Sequence, residues 1–397
     1  MDIKKFFRHT PLYKRTYRNI LNFDESHLDT YFGKFKEDVE FYKKYKQDNL
    51  LDCPILRKDE VLNNENLFLS KKYLKFTLLK SSTGGTSGKS LNLYRSYKDV
   101  IREMSYVDYA FSLIGNDLNV AVLRGVRPKN GLSSFINNKL ILSSYDLTAD
   151  TIQEYLTSIK KYNINCLHAY PSSLLIFLRI VVELRLEKEL SGIKGILTSS
   201  EIFSIEDKIF VKSVLPDCEL IDLYGQNEHV AFAISVNLGK YKFYNSYGYT
   251  EFIPIERDAD GNQIAEIVST GFINDAMPFI RYGTEDYIVL DDSGMVVSIL
   301  GRSQDYVYDF DRQRIPCTVL TRPKTLENVL SFQFFQEKYG VVEFHVTVNS
   351  SFGEDDIQNI ILDFKNTFGE RISAIVKVCP NLPRTKRGKL KRLIQNI

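Results

Sequence analysis

Between residues 119 and 223 the chain alternates short apolar runs with stretches whose apolar residues recur at helical spacing. This rhythm constrains the fold more than any other feature. Residues 119–123 have strand length, 151–161 put Ile152, Tyr155, Leu156 and Ile159 on one helical face, and 164–169 read as a strand. A helix over 171–186 follows, with Pro171 at its first position, then a strand over 193–197. A helix over 204–214, with Glu206 and Asp207 in its first turn, and a strand over 219–223 complete the series. Strands alternating with helices build a parallel sheet, which presents its ligand site at the C-terminal ends of the strands.

The flanking regions have other textures. Residues 1–50 mix charges with aromatics such as Tyr31, Phe32, Phe35, Tyr42 and Tyr45, and read as amphipathic helices covering a larger body. A helix is also predicted where Val100, Ile101, Met104, Val107, Ala110, Phe111 and Ile114 recur. From 230 to 299 the pattern becomes β-runs, over 231–236, 241–247, 251–255, 265–269 and 287–290, as expected of an antiparallel or barrel-like subdomain. Residues 258–262 hint at a calcium loop, but the later glutamate is missing at the required spacing, and a hairpin turn fits better. Beyond Gly301 come a strand over 341–348, a helix over 354–368, a strand over 372–378 and a basic tail. The expected domains are therefore 1–302 and 303–397.

The chain of 397 residues has 52 basic and 50 acidic residues, so its net charge of +2 makes no case for a nucleic-acid partner. The five cysteines, at 53, 166, 218, 317 and 379, form no Cys-x-x-Cys pair and suit buried thiols in a reducing compartment. The N-terminus lacks the apolar core of a signal peptide, and no stretch is long enough without charge to span a bilayer. The expectation is a cytoplasmic protein without a transmembrane segment. Its basic, aromatic N-terminus leaves contact with an anionic membrane surface open.

One loop carries the composition of a phosphate cradle: Ser81, Ser82, Thr83, Gly84, Gly85, Thr86, Ser87, Gly88, Lys89 and Ser90 follow an apolar segment directly. Glycines let backbone N–H groups approach an anion, hydroxyls donate further bonds and lysine adds charge. A Walker loop needs four residues between its first glycine and the Gly-Lys-Ser end, and here Thr83 stands where that glycine belongs.

Further motifs follow in order: His168-Ala169-Tyr170-Pro171-Ser172-Ser173, Ser199-Ser200-Glu201, Tyr224-Gly225-Gln226-Asn227-Glu228, a run from Pro278 through Arg281 and Tyr282 to Asp286, Gly301-Arg302-Ser303-Gln304-Asp305, and Pro383-Arg384-Thr385-Lys386-Arg387-Gly388-Lys389. Singly, each also fits a capping arrangement, a solvated acid or a charged tail. Their order resembles that of the adenylate-forming superfamily of acyl-CoA synthetases. The Pro54-Ile55-Leu56 lead-in, Tyr170-Pro171-Ser172 and the stretch Leu140 through Ser143, Ser144 and Tyr145 to Leu147 are similar to the phenylacetate-CoA ligase and capsular-polysaccharide CapK branch.

The resemblance implies an α/β adenylate-forming enzyme fold: a large N-terminal α/β domain with parallel sheets and a β-rich subdomain, plus a small mobile α+β C-terminal domain. It implies a ligase that joins a small carboxylic acid to AMP and passes the acyl group to CoA, or to an amino or hydroxyl group on a sugar, in capsular or other surface polysaccharide biosynthesis. A phenylacetate-CoA-type ligase and an inactive nucleotide-binding scaffold are the alternatives. Homodimerisation stays open.

By motif position, Ser82, Thr83, Gly84, Thr86, Gly88 and Lys89 would hold ATP phosphates, with Gly225 and Asn227 beside them. Ser200, Glu201 and Tyr224 would meet adenine, and Asp286 and Arg302 the ribose. Glu228 would hold Mg²⁺, Lys389 would be the adenylation lysine, and Gln304 with Asp305 the hinge. Gln304 stands where many relatives have Asp or Lys, a departure that bears on the hinge rotation and the second half-reaction, and Arg387, where serine is frequent, adds charge beside Lys389. His168, Tyr170, Pro171 and Arg124 are substrate candidates, Arg124 for a polar or anionic acyl group or sugar phosphate.

Overall fold

In the computed structural model, residues 3–83, 90–128, 131–258, 261–302, 306–317, 326, 328–385 and 388–397 are described, with backbone alone at 3–5, 27, 302, 314 and 316. The chain divides into two compact units, Met1–Gly115 with Ile221–Ile299, and Asn116–Leu220 with Leu300–Ile397.

The first unit opens with the helices Pro11–Arg18 and Leu28–Asp38, and Phe32, Phe35, Tyr42 and Tyr45 are buried as their spacing predicts. They share a core with Phe68, Leu93, Met277, Phe279 and Ile280. The helix Tyr97–Ser112 starts at a capping box in which Ser96 and Asp99 satisfy each other's backbone N–H. A sheet in the order Gly248–Arg257, Gln263–Gly271, Tyr282–Leu290, Val296–Arg302 forms the β-rich part. Asp258 N donates to Asn262 O at 3.0 Å between its first two strands, and residues 259 and 260 of the turn anticipated at 258–262 lie outside the described residues. The strand expected over 241–247 shortens to Lys242–Phe243, and the chain then turns, with Tyr247 N donating to Tyr244 O at 2.9 Å.

Phe279 is 1% exposed and its ring meets Phe68 at 5.7 Å and Tyr282 at 5.2 Å between centroids. Phe279→Ala is expected to cost about 3–5 kcal/mol of stability, read as a lowered denaturation midpoint. A loss under about 1 kcal/mol would mean the cavity collapses, against the close packing here.

The second unit contains the predicted alternation. Its strands lie in the order Gly195–Ser199, Cys166–Ala169, Val120–Leu123, Lys139–Leu142, Ser133–Ile136. The first four run parallel, and Ser133–Ile136 pairs antiparallel at the edge. The helices Ile152–Lys161, Pro171–Glu183 and Ile205–Val214 connect or flank them, the last capped by Ser204 accepting from Asp207 N. Buried Tyr155, Leu156, Leu174, Phe177 and Ile196 fill the core.

The C-terminal stretch of this unit is a sheet in the order Ser373–Val378, Val341–Val348, Val329–Lys338, Leu393–Gln395, backed by the helix Glu354–Phe368. Phe334, Phe344, Ile360 and Phe364 form its core. Val329–Lys338 carries no expectation from sequence, since its alternation is interrupted by adjacent Phe334 and Phe335. The sheet is tied to the helix Pro171–Glu183 by Arg179, whose Nη1 donates to Val329 O at 2.7 Å and Leu330 O at 2.8 Å. Among the described residues no helix is long and apolar enough to cross a membrane.

Candidate active site

In the first unit, Leu79–Ser82 and Asn92–Arg95 pair antiparallel and frame the phosphate-cradle loop. Gly84, Thr86, Gly88 and Lys89 lie outside the described residues. Thr83 closes the neck: its N–H donates to Leu91 O and its Oγ1 accepts from Leu91 N, both at 3.0 Å, and Ser90 Oγ donates to Thr83 O at 2.7 Å. The hydroxyl keeps its own proton to donate. Asn227 Nδ2 reaches Ser82 O at 3.4 Å, so the Tyr224 to Glu228 motif and the loop neck meet.

Tyr224 and Gly225 end the strand Glu219–Gly225. The Tyr224 hydroxyl donates to Asp286 Oδ2 at 2.8 Å, and Gln226 Nε2 contacts the same hydroxyl. Burial, reinforced by the Asp286 charge, holds the Tyr224 phenol far above its ordinary range and therefore protonated. Asp286 is 8% exposed, and its N–H donates to Thr284 Oγ1 at 3.1 Å. Gln226 Oε1 beside this pair is buried with no hydrogen-bond partner.

Glu228 is buried, and next to it His229 holds a left-handed backbone at φ 57°. Arg95 Nη1 lies 2.9 Å from His229 Nε2. Since a guanidinium can only donate, Nε2 accepts and the proton sits on Nδ1, which faces Glu103 Oε2 at 2.9 Å. Tyr247 donates to the same Oε2 at 2.6 Å. Burial pushes the Glu103 carboxyl up, but its hydrogen-bonded neighbours His229 and Tyr247, together with the Arg95 charge, outweigh it and leave it below the usual range. Arg95, Glu103, His229 and Tyr247 thus brace the loop that carries Glu228. Sequence reasoning missed all four, because they come from separate segments and only His229 adjoins a motif.

In the second unit the strand ends meet as expected of a parallel sheet. Arg124 follows Val120–Leu123, His168 lies in Cys166–Ala169, Tyr170 caps the helix that begins at Pro171, and Ser200 and Glu201 follow Gly195–Ser199. Arg124 Nη1 lies 2.7 Å from His168 Nε2 and Nη2 is 3.3 Å from Ser200 Oγ. Pro171 is packed into the start of its helix.

The basic tail returns to these strand ends. Arg384 and Leu390 form an antiparallel bridge, and Thr385 N donates to Lys389 O at 2.9 Å. Lys389 Nζ donates to Ser200 O at 3.0 Å and lies 5.6 Å from the Tyr170 ring centroid. Glu201 clasps the tail: Oε1 accepts from Leu390 N at 3.2 Å while Oε2 accepts from Ser172 N at 2.9 Å. Burial raises the Glu201 carboxyl above its ordinary range, against the Ser172 hydrogen bonds and the Lys389 and Arg384 charges. The side chain expected beside adenine also holds the tail. Past Lys389 the chain is anchored by Gln333 Nε2 on Lys391 O at 2.8 Å and Phe334 N on Arg392 O at 2.8 Å.

Arg302 ends the strand Val296–Arg302, its side chain undescribed, and Gln304 and Asp305 lie outside the described residues. The same holds for Arg387.

This architecture is that of the adenylate-forming ligases. It is shared with 2-hydroxyisobutyryl-CoA ligase bound to 2-HIB-AMP, at a TM-score of 0.67, 12% identity and coverage of 95% of this chain and 89% of that one. The anthranilate CoA ligase AuaEII with anthranoyl-AMP gives a TM-score of 0.54 at 13% identity, covering 81% and 67%. Residues 307–396 match the CapK C-terminal domain. Protein CapK of Staphylococcus aureus is 22% identical over 416 residues, 96% of this chain and 91% of that protein.

Proposed function

We propose that the chain activates a carboxylic acid with ATP, forming an acyl-adenylate and pyrophosphate, and passes the acyl group to an acceptor in capsular or other surface polysaccharide assembly. The observation that carries this reading is the seated tail, which delivers Lys389 Nζ to the Ser200 carbonyl at the strand ends of an adenylate-forming fold. The reaction brings two anions together, so it needs fixed positive charge and oriented donors more than a protein nucleophile.

In the first unit, Ser82, Thr83, Gly84, Thr86, Gly88 and Lys89 would hold the phosphates, Tyr224 would face adenine and Asp286 would accept from the ribose, with Arg302 as a second ribose contact. Among the described residues no cluster of three metal-ligating side chains exists. Glu228 is the carboxylate we assign to a hard cation that takes its remaining ligands from phosphate and water, as Mg²⁺ does. Mg²⁺ bound there would neutralise phosphate charge. In the second unit, Lys389 would offset the charge that develops on the α-phosphate as the carboxylate attacks. Residues 303–397 would act as a small moving domain pivoting at Gln304 and Asp305, so that CoA or a sugar amine or hydroxyl reaches the adenylate.

Incubation with ATP, Mg²⁺, labelled pyrophosphate and a broad acid panel should give acid-dependent exchange of label into ATP. The absence of exchange with every acid would overturn the reading. Consumption of free CoA separates a CoA ligase from an enzyme whose acceptor is a sugar amine or hydroxyl.

Asp286→Ala is expected to raise the ATP KM by roughly 10- to 100-fold, the size of a lost charge-assisted hydrogen bond, with the KM for the acid little altered. An unchanged ATP KM would remove Asp286 from the nucleotide site.

A further inference from the structure

The partners of Arg124 carry no negative charge. Its Nη1 bonds His168 Nε2, which must be the accepting nitrogen of a neutral ring, and its Nη2 reaches the Ser200 hydroxyl. Its guanidinium carbon stacks 4.9 Å from the Tyr170 ring centroid. Its Nε is buried and has no hydrogen-bond partner. Burial pulls the guanidinium below its usual range, countered in part by Tyr170 and by the charge of Glu201. Among the described residues no Glu201–Arg124 ion pair is present, and the Glu201 oxygens accept from Ser172 N and Leu390 N.

A guanidinium taken out of water is ordinarily matched by a carboxylate or phosphate, because desolvation without a counterion is costly. Here a second cation converges on the same two residues. Lys389 Nζ bonds the Ser200 carbonyl at 3.0 Å and lies over the Tyr170 ring at 5.6 Å, so Arg124 and Lys389 flank one serine and one aromatic face. Lys389 is already the cation assigned to the reacting carboxylate and α-phosphate in the proposed reaction, which leaves Arg124 without a role there. A planar fork with an unused donor matches an oxyanion.

We propose that the acid activated by this chain carries a second anionic group, a carboxylate or a phosphate, and that Arg124 binds it. This rests on the adenylation reading and specifies its substrate class. His168 is then a positioning residue that holds the guanidinium over Tyr170, and Arg124 sets specificity without touching the reacting carboxyl.

The test is pyrophosphate exchange by the full chain with matched pairs: butyrate against succinate, valerate against glutarate, and glycerate against 3-phosphoglycerate. The dianionic member of at least one pair should be favoured in kcat/KM by at least roughly 10-fold, and which pair responds tells carboxylate from phosphate. Arg124→Met should collapse that preference through the KM of the dianion, and Arg124→Lys should restore part of it. Equal or better turnover of every monoanionic partner by the unaltered chain would overturn the proposal whether or not the variants fold. So would a fall of equal size for both members of a pair in a folded Arg124→Met. Exchange confined to monocarboxylates would leave the adenylation reading standing, whereas no exchange with any acid would remove both.

Discussion

Replacing Lys389 by alanine is expected to lower acid-dependent exchange of pyrophosphate into ATP by about 10²- to 10³-fold, the usual effect of deleting one preorganised group that stabilises developing charge. ATP binding, measured by equilibrium titration, should change little. The tail should stay docked in this variant, because its anchors are backbone groups: Thr385 N on Lys389 O, Leu390 N on Glu201 Oε1, and Lys391 O accepting from Gln333. The loss would then belong to the ammonium alone. Lys389→Arg should recover little, since a planar fork does not place a point charge where a compact ammonium stood. Exchange at the unaltered rate in Lys389→Ala would show that the lysine is no part of the chemistry.

Gly388→Ala should impair the same half-reaction through geometry. A Cβ at Gly388 would lie 2.2 Å from Gly125 Cα and 2.6 Å from Tyr145 Oη. The first overlap is with backbone, which no rotamer change relieves, and Gly388 also has φ +75°, a region costly for any residue with a Cβ. The tail must therefore move, drawing Lys389 from Ser200 and Leu390 from Glu201. Exchange should fall by about two orders of magnitude. The thermal midpoint should fall only modestly if the tail swings away and the cores stay packed. Wild-type exchange in Gly388→Ala would mean that the docked tail is not the adenylating arrangement. Comparison with Lys389→Ala separates loss of the charge from loss of its delivery.

Much of the frame is legible in the residues because its signals are local. The helix expected over 354–368 is Glu354–Phe368, that over 151–161 is Ile152–Lys161, and the parallel strands fall within a few residues of their apolar runs. Burial on both faces writes itself into a sequence as continuous apolar runs, and Gly195–Ser199 is buried at every position. Strands without that imprint were harder. Lys139–Leu142 alternates half-exposed with buried residues, the edge strand Ser133–Ile136 runs from half-exposed to exposed, and Leu393–Gln395 is too short to show a period.

Within the candidate site, sequence order brought Tyr224, Glu228, Asp286 and Lys389 to notice, and composition brought the phosphate-cradle loop. It did not reveal the partners. The Arg95–His229–Glu103–Tyr247 brace joins residues from the cradle hairpin, a helix and the β-rich part. Glu201, whose motif suggests an adenine contact, turns out to hold Ser172 and Leu390. Arg124 is a substrate candidate in the sequence, but its neutral partners and its unused Nε are visible only in the structure.

The sequence by itself determined the alternation of strand and helix, the loop and tail chemistry, and hence the class of fold, since these depend on periodicity and residue type along a few consecutive positions. Only the tertiary structure decided which charges are paired. Pairing depends on distances of about 3 Å between residues far apart in the chain, such as Lys389 with Ser200, and no pattern along the chain encodes such a distance.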